Sequence, residues 1–260
     1  MTINDRLIEV AKRAALAAGE AILEVYAQEF TIAQKSDRTP VTEADLASER
    51  IILAALEDAF PEIPILSEER VEKEGLPSLS LSQGAARFWA VDPLDGTREF
   101  IAKNGEFAVN IGLVENGRPT LGVVYGPARR ILYAAHGPGT ATRARDGGKP
   151  EPISARKPPA EGLVVAHSRS HGDSRRLADY LRDYPVKERL VCGSALKFGL
   201  LAAGDADLYP RFGPTMEWDT AAGQAILEAA GGRVLDIAGT PLLYGKPGFR
   251  NEGFIAWGRR

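Results

Sequence analysis

The sequence predicts an α+β protein with two unlike halves. Apolar residues at helical spacing dominate its beginning, short apolar runs bounded by turn residues fill its middle, and strand and helix patterns alternate in its last hundred residues. A chain of 260 residues can bury a large core without disulfides or structural metals. We therefore expect an N-terminal α+β half and a C-terminal α/β half.

Two helices are predicted near the N-terminus. Across residues 3–26 the apolar positions recur every three or four residues, as on the buried face of an amphipathic helix. Pro40 disfavours a helix immediately before it. Thr42 is followed three residues later by Asp45, a spacing typical of a capping box. This pair predicts a second helix that continues through Leu56.

Strands are predicted in the middle of the chain. Residues 88–91 form a short apolar run, which predicts a buried strand that delivers the sequence DPLDGT, residues 92–97, at its C-terminal end. Two further apolar runs, 108–114 and 120–125, flank the sequence ENGRP. These two runs predict a β-hairpin.

The segment from Ala141 to Pro159 is dense in Gly, Pro and charge, and it is predicted to be a linker or an exposed excursion. We place the domain boundary inside it, with domains at 1–155 and 156–260. Beyond the boundary, the patterns predict a strand at 163–166 and helices at 174–181, 195–203 and 220–230.

Charge balance and cysteine content exclude several classes of function. The chain has 32 Lys and Arg against 35 Asp and Glu, so it lacks the general positive field that binds a nucleic-acid polymer or an anionic membrane. Its single cysteine, Cys192, cannot form an intrachain disulfide or an all-Cys zinc site. Charged residues interrupt the N-terminal apolar stretch, and no run has the length of a membrane span. We expect a cytoplasmic protein without integral membrane contact.

The segment 92–97 carries the clearest sign of chemistry. Asp92 and Asp95 lie three residues apart in a tight turn, and carboxylates that face one spot repel each other unless a cation lies between them. Such oxygens favour Mg²⁺, Mn²⁺ or Ca²⁺ over zinc, although ordinary turn aspartates are the alternative for this pair alone. If a helix begins at Thr97, its free amides form an anion site. The Thr97 hydroxyl is then suited to orienting or deprotonating a metal-bound water.

Further acidic residues occur in similarly constrained places. Glu68 and Glu69 follow an apolar, strand-like run, and Asp219 stands at the start of a predicted helix. Each has a simpler interpretation. Glu68 and Glu69 can be a solvated pair, Asp219 can be a helix N-cap, and Asp45 can be the capping partner of Thr42.

Four segments in order resemble the signature blocks of a known family. They are TPVTEAD, ILSEE, WAVDPLDGTREF and EWDTAAGQAILEAAGG, and they look like those of the lithium-sensitive, magnesium-dependent inositol monophosphatase superfamily. The SEE stands where inositol phosphatases usually carry GEE, and this feature is similar to bacterial 3'(2'),5'-bisphosphate nucleotidases, as are the later blocks HSRSH, CGSALKF and LYPRFGP. Those enzymes act on 3'-phosphoadenosine 5'-phosphate in sulfate assimilation. The resemblance runs from residue 5 to residue 257.

The resemblance implies roles for individual residues. The family's metal ligands fall on Glu68, Asp92, the backbone carbonyl of Leu94, Asp95 and Asp219. Its water-activating pair falls on Asp45 and Thr97, and residues that flank the metal and phosphate sites fall on Lys35 and Glu69. The scissile phosphate is expected on the backbone amides of Gly96 and Thr97.

The resemblance also implies a nucleotide pocket in the second half. Its residues are Ser168, His171, Ser194, Lys197 and Arg211. Lysine and arginine would supply charge-assisted bonds to a second phosphate, whereas a solvated Lys197 and a helix-capping Ser194 are the alternatives. Glu217 stands where related nucleotidases tend to carry an apolar residue. If it lines the pocket, it biases the site toward polyols.

The fold implied by the resemblance is a layered α/β sandwich of the inositol monophosphatase and fructose-1,6-bisphosphatase type. Two or three Mg²⁺ ions are expected, with Mn²⁺ as a substitute and with Li⁺ and Ca²⁺ inhibitory. The implied reaction converts 3'-phosphoadenosine 5'-phosphate to AMP and phosphate, and the family often forms homodimers. Two alternatives are an inositol monophosphatase or fructose-1,6-bisphosphatase, and a non-catalytic module that senses nucleotides or phosphoinositides.

Overall fold

The computed structural model describes residues 2–34, 40–76, 87–169 and 174–259. The helices in these residues are α1 Ile3–Tyr26, α2 Glu43–Ala59, α3 Glu68–Glu74, α4 Thr97–Ile101, α5 Ser174–Leu181, α6 Leu196–Ala202 and α7 Ala221–Ala229. The strands are β1 Ile32–Gln34, β2 Pro40–Thr42, β3 Ile65–Ser67, β4 Arg87–Asp95, β5 Ala108–Glu115, β6 Arg118–Gly126, β7 Ile131–Ala135, β8 Thr142–Arg145, β9 Glu151–Pro152, β10 Leu163–His167, β11 Val186–Val191, β12 Leu208–Arg211, β13 Thr215–Met216, β14 Arg233–Asp236, β15 Arg250–Asn251 and β16 Phe254–Trp257.

Two large sheets organise the described residues. The first has seven strands in the order β3-β4-β5-β6-β7-β8-β9, and every pair is antiparallel except β3 with β4. The second has five strands in the order β11-β10-β12-β16-β14, with β10 parallel to both of its neighbours. Two small ribbons, β1 with β2 and β13 with β15, lie outside these sheets.

Alternating side chains show how the layers stack. Along β4, Trp89 and Val91 pack into a core with α1 and α2, whereas Phe88 and Ala90 pack into a second core with α6, α7 and one face of the five-stranded sheet. The other face of that sheet packs on Leu177 of α5. The order of layers is therefore αβαβα, which confirms the predicted α+β sandwich.

Close packing fixes the central helix α7 against the seven-stranded sheet. A Cβ at Gly112 would lie 2.8 Å from the backbone nitrogen of Ala222, and a Cβ at Gly122 would overlap the Ala222 carbonyl. Only glycine allows the helix backbone to approach the sheet this closely. Since Asp219 lies two residues before the start of α7, this packing also sets the position of a predicted site residue.

The predicted linker is wrong in its first part. Residues 142–145 and 151–152 form β8 and β9, which are antiparallel and extend the seven-stranded sheet at its edge. These two short strands, TRAR and EP, lack the large apolar residues of central strands, and the turn between them contains Gly147 and Gly148. The domain boundary at 155/156 stays a prediction, and helix α7, from the second half of the chain, packs on strands of the first.

Candidate active site

The segment 92–97 forms a bulged turn at the end of β4. Pairing with β5 shifts register between Asp92 and Asp95, so the two residues between them leave the ladder. The Leu94 amide donates to Oδ1 of Asp92 at 3.0 Å, which fixes that carboxylate. Gly96 has a φ of 93°, a left-handed conformation that favours glycine, and α4 begins at the next residue, as expected.

Three carboxylates from separate segments converge beside this turn. Oxygen atoms of Glu68, Asp92 and Asp219 all lie within 4.8 Å of one another. Glu68 is the first residue of α3, and Asp219 ends a short 3₁₀ turn, where its Oδ2 accepts from the Met216 amide at 2.8 Å. The N-cap of α7 is Thr220, so the interpretation of Asp219 as that helix's N-cap is wrong.

The electrostatics of this cluster fit a bound divalent cation. Burial raises the pKa of Asp219 well above its usual range, and the negative charges of Asp95 and Glu68 raise it further. Burial also raises the pKa of Asp95, against the opposing effects of Lys197 and of hydrogen bonds from Asn110 and Ala195. Carboxylates packed this closely need positive charge nearby, and hard oxygen ligands match Mg²⁺ or Mn²⁺.

Asp95 is held by the second half of the chain. Its Oδ2 accepts from the Asn110 side-chain amide at 3.1 Å and from the backbone amide of Ala195. Ala195 directly precedes α6, so the loop before that helix is attached to the acidic cluster. This contact joins the predicted metal site to the predicted substrate-binding segment.

Asp45 and Thr97 form a hydrogen-bonded pair. The Thr97 hydroxyl lies 3.1 Å from Oδ1 of Asp45 and 3.3 Å from the carbonyl oxygen of Leu94. The amide and the hydroxyl of Thr42 each donate to Oδ2 of Asp45 at 2.7 Å, so the predicted capping box is confirmed. Asp45 therefore caps α2 with one oxygen and presents the other to Thr97, so the capping role leaves the second oxygen available.

A cavity of about 610 Å³ opens beside these groups. Among the predicted residues, its wall includes Glu68, Asp92, Leu94, Asp95, Gly96, Thr97, Ser168, Ser194, Lys197, Arg211 and Asp219. Glu69 is buried and is not part of this wall. Lys35 and His171 lie outside the described residues.

Glu217 does not reach the cavity, so the prediction that it lines the pocket is wrong. It is fully buried, and its carboxylate accepts from the backbone amides of Gly245 and Lys246 at 2.7 and 3.0 Å. The Lys246 ammonium also donates to it at 2.6 Å. Glu217 therefore anchors a loop, because a buried carboxylate needs such donors.

Lys197 and Arg211 both hold backbone carbonyl groups. Lys197 is buried rather than solvated, and its Nζ donates to the carbonyl oxygens of Cys192 at 3.0 Å and Ser194 at 2.5 Å. The guanidinium of Arg211 donates to the carbonyls of Gly213 and Pro214 at 3.3 and 3.1 Å. Lys197 and Arg211 thus shape the cavity wall, because their hydrogen bonds hold the loops that form it.

Two further arginines, Arg98 and Arg250, line the cavity and were not predicted from the sequence. Arg98 directly follows Thr97, so its position in the DPLDGTR segment was an available signal. Arg250 lies on β15, and its guanidinium forms an ion pair with Glu252 at 3.2 Å. Only the pairing of β13 with β15 brings Arg250 to this wall, and no local motif carries that information.

Comparisons with known proteins identify the family of this chain. Residues 3–254 match the model of the inositol monophosphatase family. The 3'(2'),5'-bisphosphate nucleotidases CysQ of Escherichia coli O157:H7 and Salmonella typhimurium are 43% and 46% identical to the chain, over 96% and 91% of it and 97% and 94% of their own lengths. The chain belongs to the inositol monophosphatase family, whose members are metal-dependent.

Solved structures show the same relationship. The crystal structure of CysQ from Bacteroides thetaiotaomicron superposes with a TM-score of 0.81 at 37% identity and covers 98% of each chain. An inositol monophosphatase from Anabaena superposes with a TM-score of 0.76 at 30% identity, covering 99% of this chain and 92% of its own. The layered fold is therefore shared with both kinds of enzyme.

Within residues 2–34, 40–76, 87–169 and 174–259, none of the helices combines the length and the apolar character needed to cross a bilayer.

Proposed function

We propose that this protein is a Mg²⁺-dependent phosphomonoesterase that hydrolyses 3'-phosphoadenosine 5'-phosphate to AMP and phosphate. One observation carries the proposal: the acidic cluster of Glu68, Asp92 and Asp219 shares one cavity wall with Thr97, whose hydroxyl donates to the buried Asp45 behind that wall. Relatives that are 40–46% identical and span nearly the whole chain are named 3'(2'),5'-bisphosphate nucleotidases, which supports the choice of substrate.

The residues that would hold the metal are Glu68, Asp92, Asp95, Asp219 and the carbonyl of Leu94. When bound, two or three Mg²⁺ ions supply Lewis-acid stabilisation of phosphoryl oxygens and lower the pKa of a water molecule. We expect Mn²⁺ to substitute and Li⁺ and Ca²⁺ to inhibit. The residues present fit such ions, because their oxygens converge and their negative charges are mutually unfavourable without a cation.

Thr97 and Asp45 handle the proton of the attacking water. The Thr97 hydroxyl donates toward Asp45, so its own oxygen can accept a hydrogen bond from water and orient it. As the water oxygen bonds to phosphorus, its proton passes toward Thr97 and Asp45. The bond between phosphorus and the 3'-oxygen breaks, and that oxygen takes up a proton from solvent to become the free hydroxyl of AMP, while Asp45 returns the water-derived proton to solvent. No covalent enzyme intermediate is required.

Binding of the two phosphates involves different segments. We place the scissile phosphate on the backbone amides of Gly96 and Thr97, where α4 begins. We assign the nucleotide and its second phosphate to Ser168, His171, Ser194 and Arg211. Lys197 contributes by holding the 192–194 loop as well as by its charge.

Other features of the proposal come from the family resemblance. The substrate is a small phosphorylated nucleotide and no nucleic-acid polymer, the location is cytoplasmic, and the assembly is a homodimer. An inositol phosphatase is favoured only if Glu217 lines the pocket. The Glu217 carboxylate instead accepts hydrogen bonds from the Lys246 ammonium and from the 245–246 amides, so it does not favour that alternative.

The test is phosphate release from 3'-phosphoadenosine 5'-phosphate by the purified protein with Mg²⁺, and again with excess EDTA. Asp95→Asn is the control, because asparagine keeps an acceptor for Asn110 and Ala195 but removes the charge. We expect release by the wild-type protein alone, and only with Mg²⁺. Binding of the nucleotide without release would contradict the proposal and support a sensing module instead.

A further inference from the structure

Three buried polar residues lie on one face of α2, where two contact the 92–97 turn and the third contacts the start of α3. They are Asp45, Ser48 and Glu49, which are 1%, 0% and 6% exposed and follow the spacing of one helical face. Asp45 contacts Thr97, and the Ser48 hydroxyl donates to the carbonyl of Pro93 at 2.6 Å. Glu49 is the one of the three that neither the proposed chemistry nor the 92–97 turn uses.

Glu49 contacts the start of α3. Its Oε1 accepts from the Ser67 hydroxyl and from the Arg70 backbone amide, the latter at 2.9 Å. Between these two donors in the chain lies Glu68, one of the three converging carboxylates. One oxygen of Glu49 therefore accepts hydrogen bonds from residues on both sides of Glu68.

This arrangement replaces an ordinary helix cap. Ser67 is the N-cap residue of α3, and a serine there normally accepts from an amide in the first turn. In this chain Ser67 makes no such capping bond, and its fully buried hydroxyl donates to Glu49 instead. Glu49 takes over the acceptor role, because it receives the third amide of α3 from a different helix. Hydrogen bonds to Glu49 thus connect the N-terminal end of α3, where Glu68 lies, to α2.

Ser67 is also the first residue of the SEE segment, at the position where inositol phosphatases usually carry glycine. A glycine has no hydroxyl to donate, so one of the two hydrogen bonds between α2 and α3 requires the serine, and the other comes from the Arg70 amide. Ser67, the residue that distinguishes SEE from GEE, therefore has Glu49 as its hydrogen-bond acceptor.

We propose that Glu49 and Ser67 are positioning residues that hold Glu68 in place as a metal ligand. The inference rests on the proposed function, in which Glu68 binds the metal. Glu49 acts by geometry: its carboxylate oxygen fixes the turn, and its other oxygen lies 3.9 Å from the ammonium of Lys73. Loss of the link should weaken metal binding, since hydrogen-bonded supports of ligating groups tune metal affinity.

The experiment measures Mn²⁺ binding directly, by the electron paramagnetic resonance signal of free Mn²⁺, in the full-length protein without substrate. We expect Glu49→Ala to weaken binding about tenfold. Ser67→Ala, which removes one of the two donors, should weaken it about threefold. Glu49→Gln keeps the accepting oxygen and removes only the charge, so its affinity should stay near that of the wild-type protein.

Glu57→Gln is the matched control. Glu57 lies on the same helix, is about half exposed and pairs with the side chain of Arg70 at 2.7 Å, but it does not contact the Arg70 amide. Its substitution should leave Mn²⁺ affinity unchanged. If Glu49→Ala fails to fold, the comparison of Ser67→Ala with Glu49→Gln still decides the question.

Two results would overturn the inference. Wild-type affinity in Ser67→Ala would show that the link does not position Glu68. Equal loss in Glu49→Gln and Glu49→Ala would show that Glu49 acts through its charge. If the wild-type protein bound no Mn²⁺, the proposed function would fail and the inference with it, which is a distinguishable outcome.

Discussion

Asp45 shows how one residue can serve structure and chemistry together. One carboxylate oxygen is committed to the amide and hydroxyl of Thr42, and this fixes the side chain at the start of α2. The other faces the hydroxyl of Thr97 at 3.1 Å. The capping bonds hold the second oxygen in place, which is the requirement for a general base.

The first prediction concerns this pair. Asp45→Asn keeps an oxygen toward Thr97 but cannot take up a proton, so kcat for phosphate release should fall by about 10²- to 10⁴-fold. Thr97→Val should produce a similar loss, and the double variant should be no worse than either one, because the two residues act as a unit. Steady-state kinetics at saturating Mg²⁺ measures this. Near-normal turnover in Asp45→Asn would remove Asp45 from the mechanism.

The second prediction concerns Asp219 in the metal-free protein. Burial and neighbouring carboxylates raise its pKa above the unfolded value, so its ionisation costs the folded state stability. The cost begins as pH rises above the ordinary carboxyl pKa of about 3.9 and is complete above the raised pKa. Asp219→Asn should therefore unfold at higher urea concentration than the wild-type protein at pH 8, and this advantage should shrink toward pH 4.

The control for Asp219→Asn is Asp58→Asn, which removes an exposed carboxylate on α2. It should not change the urea midpoint in this pH-dependent way. A lower midpoint for Asp219→Asn than for wild type at pH 8 would contradict the electrostatic account.

Several site residues could be predicted from sequence because they lie in one short segment. Asp92, Asp95, Gly96 and Thr97 are neighbours in the chain, and the strand before them fixes where they emerge. The role of Glu217 could not be predicted from its neighbours in the sequence. Its partner, the 245–246 loop, is distant in sequence, so only the folded chain shows that its carboxylate is already occupied.

At the scale of elements, α7 and the seven-stranded sheet position Asp219. The third prediction is that Gly122→Ala lowers the free energy of unfolding by about 1–3 kcal/mol, because a methyl group there overlaps the Ala222 carbonyl and must push the helix away. Since Asp219 lies two residues before the start of α7, metal affinity should fall as well. Urea unfolding and Mn²⁺ titration measure the two effects. An unchanged urea midpoint would show that the contact is not tight.

Elements with strong local signals could be predicted closely. The spacing of apolar residues gives α1 its full range, and the capping box marks the start of α2. Strand β11, Val186–Val191, could not be recognised, because it is an edge strand whose residues are mostly exposed. Strands β8 and β9 could not be recognised either, because they are short and lack large apolar residues, and the Gly-rich turn between them resembles a linker.

For the whole molecule, the proposed metal site couples ion binding to stability. The fourth prediction is that Mg²⁺ at about 100 times its Kd stabilises the fold by about 2.7 kcal/mol, which raises Tm by several degrees. Differential scanning calorimetry with Mg²⁺ and with EDTA measures the shift. Asp92→Asn should abolish it. A shift that survives in Asp92→Asn would place the ion elsewhere.

The five-layer arrangement brings together residues from both halves of the chain. Asp95 from the first sheet accepts from Ala195 of the second half, and Asp219 joins Glu68 and Asp92. Periodicity alone could predict the elements but not the order of these layers, because layer order depends on contacts between distant segments. The family resemblance implied a layered sandwich, which the fold confirms, and the order of its layers follows from the packing of the three cores.

The most direct test of the central claim is a comparison of kcat/KM for three substrates with Mg²⁺: 3'-phosphoadenosine 5'-phosphate, inositol 1-phosphate and fructose 1,6-bisphosphate. We predict that the adenosine bisphosphate is preferred at least about tenfold, or about 1.4 kcal/mol of transition-state discrimination. A preference for inositol 1-phosphate or fructose 1,6-bisphosphate would contradict the proposed nucleotidase activity.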